Sequence, residues 1–103
     1  MYFHVYASHS SEICPMYAPE EMPEILSAWE KFRPFADELG VKVHYMAASA
    51  PSHEFFFLFE ADSMNAISRL MFSIPIRQDV RIIPVELMEE AVTMAKSVTG
   101  AKE

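Results

Sequence analysis

Apolar and polar residues alternate from the start of the chain, and residues 2–9 are rich in aromatic and β-branched side chains. This pattern is typical of a half-buried strand. Similar short segments predict strands over residues 41–48, 53–60 and 79–84. The third of these four strands contains the continuous apolar run Phe55–Phe59, which predicts a central strand covered on both faces.

Three segments have apolar residues at helical spacing: residues 22–39, a stretch that begins after Asp62 or Ser63, and residues 87–98. Pro34 falls inside the first helix and should kink or split it. Gly40 is placed to cap its C-terminus. Residues 10–21, with Pro15 and Pro19, are expected to form a loop before this helix.

The resulting order, β-α-β-β-α-β plus a C-terminal helix, is that of the ferredoxin-like plait, an α+β fold. Its four-stranded antiparallel sheet has the order 4-1-3-2, which puts the first and third strands side by side. The 103 residues are predicted to form a single domain, residues 1–103.

Composition restricts the partners. Fifteen acidic residues against eight Lys and Arg give a net charge of -7, so a basic surface for nucleic acid or anionic lipid is not expected. The longest apolar run is too short to span a bilayer, and the N-terminus does not resemble a signal peptide. One cysteine, Cys14, excludes an internal disulfide and fits a reducing compartment, so we expect a cytoplasmic protein. Two glycines leave no phosphate-binding loop.

Three segments carry a resemblance to the dimeric α+β barrel superfamily, and within it to small prokaryotic proteins of similar length: His9 to Pro15, Leu39 to His44, and His53 to Ser63. The resemblance implies a homodimer, or a higher homo-oligomer, in which two sheets pair face to face. Members of the superfamily include cofactor-independent monooxygenases, haem-binding proteins and non-catalytic modules. The fold therefore does not select one function.

Strand parity indicates where chemistry would occur. His9 ends the first strand and His53 begins the third, so an antiparallel pairing makes them neighbours, and the loop with Cys14 leaves the same sheet edge. Two imidazoles and a thiolate are ligands for zinc, iron or copper, and water or Glu12 would complete the coordination. The leading hypothesis is a metal ion or metal cofactor bound by His9, Cys14 and His53, with redox or oxygen chemistry as an extension.

Three alternatives to a metal site are considered. Cys14 would act as a nucleophilic or redox thiol beside His9. A cofactor-independent monooxygenase would bind an aromatic substrate under Trp29 and Phe32, with His9 or His53 as the proton acceptor; Glu12 and Tyr6 are further candidates for the ligand pocket. A non-catalytic dimeric module for ligand binding or interaction would use none of this chemistry.

The other face of the sheet is predicted to carry many apolar side chains that another copy would bury. The residues assigned to this dimer interface are His4, His44, Met46 and Phe56, with Tyr2, Tyr6 and Leu58 around them. Protonation of His4 or His44 there would make dimerisation sensitive to pH.

Overall fold

The computed structural model describes residues 1–100; residues 101–103 of the predicted domain lie outside the described part. Four strands and four α-helices follow one another along the chain. They are β1 (Tyr2–Ser8), α1 (Met22–Glu30), α2 (Phe32–Glu38), β2 (Lys42–Ser49), β3 (Glu54–Glu60), α3 (Met64–Phe72), β4 (Asp79–Val85) and α4 (Met88–Thr99).

The sheet is antiparallel with strand order β2-β3-β1-β4, which confirms the ferredoxin-like fold and the predicted neighbours. β1 pairs with β3 from Tyr2 opposite Glu60 to Ser8 opposite Glu54. The C-terminal end of β1 therefore lies beside the N-terminal end of β3.

One face of the sheet is covered by α1, α2 and α3, and the core lies between them. Phe3, Val5 and Ala7 of β1 and Phe57 and Phe59 of β3 are buried there. Burial of such side chains stabilises the fold by about 1.5–3 kcal/mol for each large residue. The parity predicted for both strands is confirmed.

The first predicted helix is split into α1 and α2 at Lys31. Pro34 has no N–H to donate to the carbonyl of Glu30, and its ring crowds that carbonyl, so a continuous helix is disfavoured. Gly40 follows α2 with φ of 72°, as a C-terminal cap requires. Ser63 caps α3, with its Oγ accepting a hydrogen bond of 3.3 Å from the amide of Ala66.

A β-bulge in β2 corrects one sequence prediction. The pairing with β3 shifts between Val43 and Tyr45, so that Tyr45 lies opposite Leu58 and Met46 opposite Phe57. Met46 packs against the core under the helices, and its assignment to the dimer interface was wrong. Simple alternation failed because the bulge inserts one extra residue, His44, into the strand.

α4 extends away from the rest of the molecule. None of its residues is buried, and the described chain measures 59 × 29 × 18 Å. Within residues 1–100 no helix has the length and apolar character needed to cross a membrane.

Candidate metal centre

The pairing of β1 with β3 continues one step beyond the strands and brings two histidines together. The amide of His9 donates a hydrogen bond of 3.1 Å to the carbonyl oxygen of His53. The two imidazole rings meet edge to face, with their centroids 5.2 Å apart. The antiparallel register therefore fixes both residues at the same edge of the sheet.

His53 adopts a backbone conformation that is uncommon for a residue with a side chain. Its φ of 58° and ψ of 41° lie in the left-handed region, and its amide donates to the carbonyl of Ala50 across a short 3-10 turn. Such a conformation costs on the order of 1–3 kcal/mol and is found often at functional sites. The turn aims the imidazole at His9.

Cys14 reaches the same place from the loop after β1. It lies between two 3-10 turns, Ser11–Ile13 and Pro15–Tyr17, and its amide donates to the carbonyl of Ser11 at 3.3 Å. The thiol is free, and the residue is only 4% exposed. The consecutive turns fold the loop back over the sheet edge and hold the sulfur beside the two rings.

The three side chains form a compact group of potential ligands. One nitrogen of His9, one nitrogen of His53 and the sulfur of Cys14 all lie within 4.8 Å of one another. In a tetrahedral site with metal–nitrogen bonds near 2.0 Å and metal–sulfur bonds near 2.3 Å, ligand atoms are about 3.5 Å apart. Binding an ion would therefore draw the side chains together by on the order of 1 Å, which rotations of side chains can supply.

The ring nitrogens lack the partners that buried polar atoms normally have. Both nitrogens of His9 and Nδ1 of His53 are closed to solvent and accept or donate no hydrogen bond within residues 1–100. Each unsatisfied group costs about 1–3 kcal/mol. Packing alone does not compensate for this cost, whereas a metal ion would engage one nitrogen of each ring and so remove part of it.

The electrostatics of His9 favour its neutral form. Burial lowers the pKa of His9 below 6.5, and the nearby His53 lowers it further. A neutral imidazole is the form that binds metal, so the lowered pKa lets His9 stay competent as a ligand at lower pH than an exposed histidine would.

An apolar cavity of about 180 Å³ opens directly beside the three ligands, which form part of its wall. Among the described residues no fourth His, Cys, Asp or Glu joins the group, so one coordination position would face this space. Sites of this kind, with three protein ligands and an open position, can bind water or a substrate at the metal.

The other residues assigned to the ligand pocket are dispersed. Trp29 lines the cavity. Phe32 is 1% exposed within the core and does not line it. Tyr6 points to the opposite face of the sheet, where its hydroxyl donates to Glu54. Glu12 is exposed and lines, together with His9, a different and larger cleft.

Residues assigned to the dimer interface, other than Met46, lie on the face of the sheet that no helix covers. His4 is opposite Leu58 on β3, and Phe56 is opposite Tyr6. His44 stacks near Tyr2 and hydrogen-bonds Glu60 at 2.9 Å, which lowers the pKa of that carboxyl group.

Sequence reasoning missed the part of α1 that closes the cavity. Met22, Ile25 and Leu26 line it with Trp29, and Ile76 contributes from the connection between α3 and β4. The helical spacing of 22, 25, 26 and 29 was a usable signal, since these residues share a face that begins immediately after the loop of Cys14. The contribution of Ile76 had no local signal.

Comparison with solved structures gives two similar chains. The crystal structure of SCO4226 from Streptomyces coelicolor A3(2) superposes with a TM-score of 0.54 and 13% sequence identity, covering 84% of this chain and 100% of that one. A dimeric ferredoxin-like protein from an uncultured marine organism gives a TM-score of 0.42 and 14% identity, covering 84% and 97%. The first likeness agrees with the fold.

No protein-family model matches the chain. No curated protein matches it either.

Proposed function

We propose that this protein binds one transition-metal ion per chain through His9, Cys14 and His53, and that it works as a homodimer. The observation that carries the metal proposal is the group of two ring nitrogens and one sulfur within 4.8 Å of one another, in two histidines whose buried ring nitrogens include three without a hydrogen-bond partner. Zinc, iron and copper all accept imidazole and thiolate ligands.

The chemistry of such a site follows from its open position. His9, Cys14 and His53 would hold the ion, and the cavity that they line leaves room for water or a small molecule as a further ligand. The apolar surroundings limit access of bulk water and strengthen electrostatic interactions at the ion. Redox or oxygen chemistry belongs to this proposal if the ion is iron or copper.

The homodimer is supported by the uncovered face of the sheet. Half-buried Tyr6, Phe56 and Leu58 lie at its centre, and no helix of the described chain packs on it. A second copy offers the same face and would bury both.

Elemental analysis tests the metal proposal. The protein is purified without an affinity tag or added metal, as wild type and as Cys14→Ser and His53→Ala. His4→Ala is the matched control, because it removes a histidine from the opposite face of the sheet. We expect about one ion per chain in the wild type and the control, and far less in the two site variants.

Two results would contradict the proposal. One is wild-type protein that holds no metal even after incubation with zinc, iron(II) and copper(I). The other is a metal content that stays the same in Cys14→Ser and His53→Ala, since the ion would then be bound elsewhere.

A further inference from the structure

The cavity beside the candidate metal centre is lined on one side by the three potential metal ligands and elsewhere mainly by apolar side chains. Its volume is about 180 Å³. Apart from the three ligands, its surface consists mainly of side chains from α1, β3 and the connection that follows α3: Met22, Ile25, Leu26, Trp29, Phe55 and Ile76.

The cavity contains no charge available to a ligand. The one other ionisable residue that lines it, Glu54, has its carboxylate engaged by the hydroxyl of Tyr6 on the opposite face of the sheet. A charged group held away from the metal would lose its hydration without gaining a partner, which costs several kcal/mol. The part of the occupant that fills the cavity beyond the metal should therefore be neutral and apolar.

The size of the cavity limits the occupant to a small molecule. A closed apolar cavity of about 150 Å³ is large enough to hold benzene, so 180 Å³ admits roughly one six-membered ring with one or two further atoms. Trp29 and Phe55 favour a flat aromatic guest, since their ring centroids lie 5.2 Å apart and they offer faces and edges to it. Entry is feasible at the rim, where Met16 is 65% and Leu26 is 52% exposed.

We infer that the cavity binds a neutral aromatic molecule of one ring whose single polar atom occupies the open position on the metal. This inference rests on the proposed metal centre and names the class of ligand that the centre takes. The apolar walls supply affinity, and the metal supplies orientation, since most of the other side chains that line the space are apolar.

Phenol and toluene are the probes that separate these two contributions, because they share a ring and differ in the hydroxyl. Trp29 is the single tryptophan of the chain and lines the cavity, so its fluorescence excited at long wavelength reports occupancy directly. Each probe is titrated into zinc-loaded protein and into metal-free protein prepared by chelation.

We expect both probes to change the Trp29 emission saturably. Phenol should bind the zinc-loaded protein at least about tenfold more tightly than the metal-free protein, whereas toluene should bind both forms equally. Ile76→Phe enlarges a side chain of the cavity wall on the connection between α3 and β4, away from the loop and the turn that hold the metal ligands, so it should retain zinc and weaken both probes. Val98→Phe, on the exposed surface of α4, is the matched control and should behave as wild type.

The outcomes separate this inference from the proposed function. Equal phenol affinity with and without zinc would overturn the inference while leaving the metal centre intact. No saturable response to either probe, or unchanged binding in Ile76→Phe, would overturn it as well. A protein that binds toluene saturably but holds no metal would contradict the proposed function, and with it the coordinating half of the inference.

Discussion

At the scale of single residues, His9 is both a proposed metal ligand and a group whose pKa is changed by burial. Its ring nitrogens are closed to solvent, and burial lowers its pKa below 6.5. In the metal-free protein the unfolded chain therefore binds a proton at higher pH than the folded chain does. Protonation then favours unfolding over the interval in which only the unfolded state carries the proton.

This difference predicts how the stability of metal-free protein depends on pH. Well above pH 6.5 His9 is neutral in both states and contributes no pH dependence. As pH falls from 6.5 toward the lowered pKa of the folded state, stability is lost, and below that pKa the loss is complete and constant. Urea unfolding at pH 7.5 and pH 5.5 should show this loss.

His9→Leu isolates the contribution of His9 from those of the other titratable groups. The variant keeps an apolar side chain among His53, Phe55 and Cys14 and cannot take up a proton. Its drop in the free energy of unfolding between the two pH values should be smaller than that of the wild type. An equal drop in both proteins would show that His9 is not the group responsible.

The meeting of His9 with His53 was predictable from the sequence, and the position of Cys14 was less so. Antiparallel pairing of two strands with clear alternation places the end of one beside the start of the other. The path of the loop depends on successive 3-10 turns, whose hydrogen bonds leave little trace in the residue pattern. The left-handed backbone of His53 had no sequence signal either, because such residues are usually glycine or asparagine.

At the scale of elements, the sequence predicts the break in the first helix but not the bulge in β2. The break between α1 and α2 follows from Pro34, whose effect on a helix is strong and local. The bulge at His44 could not be predicted, because it depends on the pairing of β2 with β3 rather than on the residues of β2 alone. Because of the bulge, Met46 faces the core, and Tyr45, which is 57% exposed, lies on the uncovered face.

The break in the first helix also separates the residues that line the cavity from those that pack in the core. α1 carries Ile25 and Trp29 toward the cavity, while α2 places Phe32 and Ala36 in the core. A straight helix would keep both sets on one continuous stripe. The helical spacing in the sequence therefore predicted one pocket for Trp29 and Phe32, although only Trp29 lines the cavity.

At the scale of the whole molecule, two apolar surfaces are uncovered within residues 1–100 of a single chain. One is the face of the sheet centred on Phe56, and the other is α4, where Val98 is 75% exposed. Large exposed apolar surfaces mark interaction sites. A homodimer would bury the sheet face.

The dimer predicts a specific effect of charge on the uncovered face. Phe56→Lys should raise the dissociation constant by at least about tenfold, because an unpaired ammonium would be buried between two sheets. Phe72→Lys is the matched control, since Phe72 is 89% exposed on α3 on the other side of the sheet. Sedimentation equilibrium of both variants and the wild type measures the effect. A monomeric wild type, or equal dissociation of the two variants, would contradict the proposed interface.

The proposed function depends on His9, Cys14 and His53 sharing one metal ion, and X-ray absorption at the edge of the bound metal identifies its ligands. For zinc, we expect two imidazole nitrogens at about 2.0–2.1 Å, one sulfur at about 2.3 Å and one further light atom from water. Loss of the sulfur shell in Cys14→Ser, with the imidazole shell retained in whatever metal remains, would agree with it. A first shell of oxygen and nitrogen without sulfur in the wild type would contradict it.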